Sequence, residues 1–414
     1  MAKRSALLRG ATALCTFVFS LSIVTGTILE GYKATIDTNL GTQSEKFVSE
    51  STSADPLYNK FTPSAEVLNA DGTGNSHALI QKAIDLNRQQ AAEGAVLLKN
   101  ENNVLPLASG SKVTLLGIRS HVPLVGSSFG VKAWGGFISL EQALSQNKTD
   151  FADTITTSVN TNRQTGEVTV GQTVSGWSGD EFDFEGAGYE INPTMVSIYD
   201  KLNETYNHAN NESPAEVYDP GEPSLKEIAS VDSNYEASFA QYGDAAIVVI
   251  SRPSAESKDY LPGGVVEGLG ADEPLQLTTN ERDIIETAKK ASDKVIVLVN
   301  SATAIEIGDL KNDPDIDAIM WIGFPGCYGM LGVADILCGR TSPSGGLPDI
   351  YPTYNMSAPA MQNMGKMYYT NTADVITRSG GLLSFTPGAY TIEAEGLYTG
   401  YRYYETRYFD SVYG

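Results

Sequence analysis

AAIVVI at residues 245–250, LTTNERDIIETAKKAS at 277–292 and KVIVLVN at 294–300 follow one another along the chain. The two aliphatic runs are typical of strands that are buried on both faces of a sheet. The segment between them starts with Thr and Asn, carries its first acidic residue early and its Lys pair late, and these are helix start and stop signals in order. The spacing predicts a strand, a helix and a parallel strand joined by a right-handed crossover.

Further aliphatic runs extend this pattern on both sides. Apolar residues recur at helical spacing over about 75–92, and a short apolar strand is predicted at 95–98. VTLLGI (113–118) and IDAIMWIG (316–323) have the same near-continuous aliphatic composition as the central runs. We therefore predict an α/β fold in which helices sandwich an open, mostly parallel sheet.

This predicted sandwich domain covers residues 71–350. Residues 147–235 interrupt its pattern, because they are rich in Thr, Ser, Asn and Gly and include the acidic-aromatic segment EFDFEGAGYE (181–190). We expect a large insertion or a long helix-loop excursion at the sheet edge, with the acidic segment on a solvated surface. Residues 351–414 are expected to form a truncated C-terminal extension.

The N-terminus carries a targeting signal. Residues 10–29 contain no charge and are mostly apolar, and as a helix they cover roughly 30 Å, the thickness of a hydrocarbon core. Lys3, Arg4 and Arg9 precede them, which places the bulk of the chain outside the cytoplasm. We predict a signal anchor or a signal peptide over 1–30, followed by a polar tether over 31–70. The protein is then membrane-anchored with an extracytoplasmic globular part, or secreted if the segment is cleaved; a poor cleavage site favours the anchor.

Charge and composition exclude several classes of protein. The chain has 28 Lys and Arg against 50 Asp and Glu, a net charge of −22, so it repels nucleic acid. The three His and three Cys residues are scattered, and no CxxC pair occurs, so we expect neither a metal site nor a cofactor. A nucleotide-binding α/β protein is a weaker alternative, because no GxGxxG or Walker pattern follows a strand.

The strand at 245–250 leads directly into the loop SRPSAESKDY (251–260). In open parallel sheets, functional residues gather beyond the carboxyl ends of the strands. Glu256 in this loop is a candidate proton donor, provided that partial desolvation raises its pKa. The alternative is a solvated glutamate paired with Lys258, and position alone favours that alternative.

A longer segment, EGAVLLKNENNVLPL (93–107), is similar to the one that opens the α/β-sandwich domain of glycoside hydrolase family 3. Further pieces resemble the family in the same order over roughly 75–410. These are KVTLLGI (112–118), SRPSAES (251–257), KVIVLVNS (294–301), WIGFPGCYGMLGVADILCGRTSPSGGLP (321–348) and EGLYTGYRYYETRY (395–408). The N-terminal position of the sandwich resembles variants in which this domain precedes the catalytic barrel.

The resemblance implies a retaining β-glycosidase, similar to β-glucosidases, that removes terminal β-linked sugars from oligosaccharides. An aspartate nucleophile and a glutamate acid/base carry out such a reaction. The spacing R-x-S-x-E resembles the family form R-x-S-G-E, so Glu256 inherits the acid/base role. Ala255 replaces the usual glycine and Lys258-Asp259 departs from the common E-G-x-D pattern, which leaves the loop register less certain than the domain.

Four further residues are candidates for substrate binding. Arg252 is expected to contact Glu256 or a sugar hydroxyl, with packing against the strand end as the alternative. Lys258 and Asp259 would line the approach to the site, unless the loop is simply solvated. Trp134, in the Gly-rich segment GVKAWGGF, would stack on a sugar face or pack at a turn.

The aspartate nucleophile is not identified in this sequence. In the family it belongs to a (β/α)8 barrel and lies in an S-D-[WY] motif, whereas the Ser292-Asp293 pair here precedes Lys294 inside the predicted sandwich. We therefore expect a fragment of a larger permuted enzyme or a truncated gene product, which needs a barrel domain as partner and is inactive alone. The alternative function is a non-catalytic carbohydrate-binding or surface-interaction module. Glucose, xylose and N-acetylhexosamine remain open as the sugar.

Overall fold

The computed structural model of the chain contains two compact units, residues 1–64 and residues 65–414. The residues whose structure is described are 2–33, 65–70, 72, 75–126, 137–150, 154–161, 168–175, 181–206, 220–254, 259–264, 270–365, 367–371, 389–390 and 392–407. Helix α1 (Ala2–Gly31) lies in the first unit. Its stretch Arg9–Gly31, with a mean hydropathy of 1.9, is long and apolar enough to cross a membrane, a property that signal sequences share. Most of the predicted tether, 31–70, lies outside the described residues.

The second unit is built on a six-stranded sheet. Its strands are β1 (Val96–Asn100), β2 (Lys112–Leu116), β3 (Glu190–Ile191), β4 (Ala245–Arg252), β5 (Val295–Ser301) and β6 (Ala318–Trp321). Their order across the sheet is β1-β6-β5-β4-β2-β3. All neighbours are parallel except β1, which runs antiparallel to β6. The predicted open, mostly parallel α/β sheet is confirmed.

Helices cover both faces of this sheet. In chain order they are α2 (Ser76–Gly94), α3 (Leu140–Ser145), α4 (Pro193–Tyr206), α5 (Leu225–Val231), α6 (Thr279–Ala291), α7 (Gly308–Asn312) and α8 (Met330–Leu337). The short helix α9 (Pro359–Gln362) lies in the C-terminal extension. Helix α2 begins where the Asn75 side chain accepts a hydrogen bond from the Ala78 N–H. Ser and Thr residues with a Gln or Glu three positions later form capping boxes at the starts of α3, α5 and α6, which satisfy the free N–H groups there.

The alternation of side chains along β4 divides the core in two. Every second residue from Ala245 to Val249 packs into one hydrophobic cluster, together with residues of α2, α3 and α8. The residues between them, from Ala246 to Ile250, pack into a second cluster with residues of α4, α5, α6 and α7. Because both faces of β4 are covered, its sequence is aliphatic throughout rather than alternating.

Part of the predicted insertion, 147–235, contributes to this core. Met195 and Tyr199 of α4 are fully buried in the second cluster, and β3 pairs with β2 at the edge of the sheet. The remaining described strands of this region form two antiparallel pairs, Lys148–Asp150 with Glu181–Asp183 and Thr154–Thr161 with Val168–Ser175. A third pair, Met367–Tyr368 with Ala389–Tyr390, lies in the C-terminal extension. The polar composition of the region obscures these buried positions, because they are few and widely spaced along the chain.

Gly117, which directly follows β2, provides a test of the fold. Its φ is +88°, and a Cβ atom there would lie 2.5 Å from the carbonyl oxygen of Val249 in β4. We expect Gly117→Ala to lower the free energy of unfolding by about 2 kcal/mol or more, because it combines backbone strain with a clash against backbone. Gly94→Ala is the matched control, since its Cβ would meet no atom within 4 Å. Urea unfolding of the two variants measures the difference, and equal stabilities would contradict the close approach of β2 and β4.

Candidate functional site

The carboxyl ends of the parallel strands meet at one edge of the sheet, and the loops that follow them lie close together. In chain order β2 is followed by its outer neighbour β3, and the chain then returns to the other side of β2 to form β4. This places the topological switch point between β2 and β4. In open α/β sheets ligands bind in the crevice at such a point.

Here, side chains of the protein itself occupy that crevice. The N–H of Gly117 donates to the hydroxyl of Tyr199 at 2.8 Å, and the N–H of Ile118 donates to a carboxylate oxygen of Glu222 at 2.8 Å. The Tyr199 hydroxyl in turn donates to Glu222 at 3.4 Å, and the buried Arg119 donates to the carbonyl oxygen of Pro220. The backbone N–H groups that would face a phosphate in a nucleotide-binding protein are therefore satisfied internally.

Burial shifts two pKa values in this cluster in opposite directions. Desolvation raises the pKa of Glu222 from its ordinary 4.5 to about 8, so this carboxyl group is neutral at pH 7. Desolvation lowers the pKa of His121, whose ring packs against Tyr199, from 6.5 to about 4. Both groups are thus uncharged near neutral pH, as their apolar surroundings require.

The segment that follows β2 extends along the carboxyl edge of the sheet, past β4, as far as β5. The side chain of Asn300, in β5, accepts from the N–H of Leu124 at 2.7 Å and donates to its carbonyl oxygen at 2.9 Å. The N–H of Gly326 donates to Val125. Trp134 lies outside the described residues, but the chain on either side of it is anchored near the end of β6, because Ile138 donates to Cys327 at 2.8 Å.

The predicted catalytic loop leaves the sheet at the end of β4. The buried Tyr260 donates its hydroxyl hydrogen to the carbonyl oxygen of Pro253, so the chain returns at residue 260 to the point from which it departs. Glu256 and Lys258 lie outside the described residues, and Asp259 is exposed. The two described ends of the loop therefore lie next to each other at the carboxyl end of β4.

Arg252, the last residue of β4, is fully buried beneath this loop. Its guanidinium donates to the carboxylate of Glu281 at 2.7 Å and to the carbonyl oxygens of Pro274, Gln276 and Ser251. These contacts agree with the alternative of packing against the strand end, and a contact between Arg252 and a sugar stays a prediction.

Glu281 connects this arginine to the start of α6. One carboxylate oxygen accepts from Arg252, while the other accepts from the N–H and the hydroxyl of Thr278 at 2.9 and 3.1 Å. Only 1% of the Glu281 side chain is exposed. Glu281 was not among the residues predicted to be functional, although the spacing Thr278-x-x-Glu281 is a capping-box signature that marks it. No sequence signal marks Glu222.

A cavity of about 470 Å³ lies beside Asp259. Its other walls come from Leu261 and from 360–365 and 392–399 in the C-terminal extension. No functional residue was predicted in either segment of the extension. Among the described residues, no group of three His, Cys, Asp or Glu side chains is arranged to hold a metal ion.

Comparison with known proteins identifies the class to which this α/β sandwich belongs. The profile of the glycosyl hydrolase family 3 C-terminal domain matches residues 95–401. The chain therefore belongs to glycosyl hydrolase family 3, and the resemblance inferred from the sequence motifs is confirmed.

Individual relatives agree with this family. β-Glucosidase A of Butyrivibrio fibrisolvens is 26% identical over 362 residues, which cover 84% of this chain and 35% of the relative. A β-glucosidase of Schizophyllum commune is 32% identical over 172 residues, which cover 41% of this chain and 84% of the relative. The chain thus spans about a third of the length of the first of these relatives.

Solved structures share the fold. A β-glucosidase from Paenibacillus barengoltzii superposes with a TM-score of 0.53 at 24% identity, covering 78% of this chain and 28% of that one. β-Glucosidase 3B from Thermotoga neapolitana gives 0.50 at 23% identity, covering 79% of this chain and 36% of that one. At these identities the likeness concerns the architecture alone.

The buried ion pair predicts a large and specific loss of stability. We expect Glu281→Ala to lower the free energy of unfolding by about 3–5 kcal/mol, because it leaves the Arg252 guanidinium buried without its charge partner. Glu286→Ala on the same helix is the matched control. Its side chain is 63% exposed, so a change within about 0.5 kcal/mol is expected. Chemical denaturation measures both, and similar losses in the two variants would contradict the role of the pair.

The raised pKa of Glu222 predicts how stability depends on pH. Between about pH 4.5 and 8 the folded protein holds a proton that the unfolded chain has released, so the free energy of unfolding falls as the pH rises. His121 acts oppositely below pH 6.5, where the unfolded chain binds a proton that the folded protein does not. The effect of Glu222 is therefore isolated between pH 6.5 and 8, where we expect a loss of roughly 1–2 kcal/mol.

The variant Glu222→Gln tests this assignment. It keeps the shape of the side chain and removes the titrating group, so its stability should vary less than that of the native chain over the same pH range. Thermal unfolding at several pH values provides the comparison. An unchanged pH dependence in the variant would show that another group is responsible.

Proposed function

We propose that this chain contributes the general acid/base of a retaining β-glycosidase, and that Glu256 is that residue. The observation that carries the proposal is the match to glycosyl hydrolase family 3 over residues 95–401, which includes the loop after β4. The contact between Tyr260 and Pro253 supports it, because both described ends of the loop lie at the carboxyl end of β4.

In the proposed reaction, Glu256 first acts as an acid. It protonates the glycosidic oxygen while an aspartate carboxylate attacks the anomeric carbon, and the leaving alcohol departs as a covalent glycosyl-enzyme forms. The Glu256 carboxylate then removes a proton from water, which attacks the same carbon, releases the aspartate and restores the configuration of the substrate. The proton that Glu256 gives up in the first step is recovered in the second.

The proposed substrate is a β-linked glycoside or oligosaccharide. Relatives are named as β-glucosidases in Butyrivibrio and Schizophyllum and as a β-D-xylosidase in Arabidopsis thaliana, which supports a terminal glucose or xylose. Lys258, Asp259 and Trp134 are proposed to line the approach to the sugar. Arg252 is buried, so we assign it a positioning role, in which it fixes the end of β4 from which the loop departs.

The nucleophile is proposed to come from a barrel domain outside these residues. No Ser-Asp-Trp or Ser-Asp-Tyr sequence occurs in the chain, and Ser292-Asp293 lies between α6 and β5 at the amino end of a strand, opposite the site. Without that partner we expect no turnover, because acid/base catalysis alone contributes only about 10²–10⁴-fold. The apolar helix α1 is proposed to anchor the protein, with the sandwich domain outside the cytoplasm.

The variant Glu256→Gln tests the acid/base assignment. The chain is co-expressed with a family 3 barrel domain and assayed with phenyl β-glucoside, a substrate with a poor leaving group. We expect the variant to lower kcat/KM by roughly 10²–10⁴-fold. With 2,4-dinitrophenyl β-glucoside, whose leaving group needs no protonation, added azide should restore turnover of the variant by forming a β-glycosyl azide, because this nucleophile needs no general base to attack the glycosyl-enzyme.

Glu236→Gln is the matched control, since Glu236 is an exposed surface residue near Lys290 and should not alter turnover. Turnover by Glu256→Gln at the native rate would contradict the assignment. Sugar binding without turnover, when the barrel domain is folded and bound, would instead favour a non-catalytic carbohydrate-binding module.

A further inference from the structure

The chain contains four Asn-x-Ser/Thr triplets in which the middle residue is not Pro, and each is a potential acceptor of an N-linked glycan. They begin at Asn147, Asn203, Asn211 and Asn355. The oligosaccharide is joined to the side-chain nitrogen Nδ2, so a folded protein carries it on an exposed amide in a surface loop. Asn211 lies outside the described residues, and the structure distinguishes the other three triplets.

Asn355 is excluded by its burial. The residue is only 6% exposed, and its Nδ2 atom already donates to the carbonyl oxygen of Ala304 at 3.1 Å. Its backbone N–H donates to the carboxylate of Glu306 at 2.6 Å, which holds the residue in place. A glycan on this nitrogen would have to displace an internal hydrogen bond and would find no room in the fold.

Asn203 has the wrong local structure for an acceptor. It lies in the last turn of α4, so its triplet belongs to a helix rather than to a loop. The residue is half-buried, and its Oδ1 atom is buried without a hydrogen-bond partner. Because both amide atoms are bonded to one carbon, an amide whose oxygen is buried also brings its nitrogen close to the protein.

Asn147 has the features that the other two lack. It is exposed, and it lies between the end of α3 and the strand Lys148–Asp150. Its Oδ1 atom accepts from the N–H of Gly186 at 3.1 Å, and its carbonyl oxygen accepts from the N–H of Phe184 at 2.8 Å. The oxygen end of the amide is thus held against the protein and the Nδ2 end is directed away from that contact. No described residue accepts a hydrogen bond from this nitrogen.

The position of Asn147 in the fold separates it from the proposed catalytic edge. The carbonyl oxygen of Leu144, three residues earlier, accepts from the N–H of Tyr189 at 2.9 Å, immediately before β3. The first residue of β3, Glu190, pairs with Lys112, the first residue of β2. Asn147 therefore lies near the amino ends of these strands. A glycan there leaves the carboxyl edge of the sheet uncovered.

We propose that Asn147 is an N-glycosylation site and that its donor is an oligosaccharide on a polyprenyl diphosphate. The Nδ2 atom forms a bond to C1 of the first sugar, and the bond between C1 and the diphosphate oxygen breaks. The amide loses one proton, and polyprenyl diphosphate leaves. This reaction takes place outside the cytoplasm, so the inference goes beyond the proposed catalytic function and rests on the proposed orientation of α1.

Translation of the full chain in the presence of endoplasmic-reticulum microsomes tests the proposal, because the microsomes supply the transferase and a dolichyl-diphosphate oligosaccharide. Chains protected from added trypsin have been translocated. Peptide N-glycosidase in oxygen-18 water then converts each glycosylated Asn to a labelled Asp, which peptide mass spectrometry locates. We expect the label at Asn147, and no label at Asn203 or Asn355, in the folded fraction that resists mild proteolysis after release.

Substitutions at the third position of the triplet show whether the transferase recognises it. Thr149→Ala should abolish the glycan at Asn147, whereas Thr149→Ser should retain it, because the motif requires a hydroxyl two residues after the acceptor. Glu236→Asn is the positive control for translocation. It creates an Asn-Ala-Ser triplet at an exposed residue that belongs to none of the native triplets.

Each outcome has a distinct meaning. Unmodified Asn147 in a chain whose Glu236→Asn triplet is glycosylated would overturn the proposal. Comparable modification of Asn203 or Asn355 in the folded fraction would contradict the structural selection on which it depends. If trypsin digests the chain and no triplet is modified, the proposed orientation of α1 fails, and the inference fails with it. Failure of the acid/base assignment would instead appear only in the turnover of Glu256→Gln.

Discussion

The buried ion pair between Arg252 and Glu281 is the constraint on which the candidate site depends. It joins the last residue of β4 to the first turn of α6, and the remaining hydrogen bonds of the guanidinium hold the carbonyl oxygens of 274 and 276. Two charges that are removed from water require each other and complete hydrogen bonding, so the loss of either partner would leave an uncompensated buried charge at this junction. The loop of Glu256 departs from that junction, and Tyr260 returns the chain to it.

A second constraint decides where a ligand can lie. At the switch point between β2 and β4, Tyr199 and Glu222 accept the hydrogen bonds of Gly117 and Ile118. Because these N–H groups already have acceptors within the protein, the crevice that other open α/β sheets use to bind phosphate is closed. The open space at the carboxyl edge lies farther along the sheet, between the segment after β4 and the extension that contacts the segment after β5. The open cavity therefore lies away from the switch point at which open α/β sheets bind phosphate.

The C-terminal extension lines a cavity of about 470 Å³ at this edge of the sheet. It contributes Met361, Met364 and Ile392 to a cavity whose opposite wall follows the proposed acid/base.

The sequence alone predicted the α/β class, the parallel strands and the family, because burial on both faces demands aliphatic runs and the family motifs are long and specific. It also marked α1 by its uninterrupted apolar stretch. Only the tertiary structure revealed that Arg252 is buried against Glu281, that Glu222 occupies the switch point, and that residues about a hundred positions apart form one cavity. The reason is physical: strand and helix propensities act over neighbouring residues, whereas desolvation, ion pairing and cavity shape depend on groups that only folding brings together.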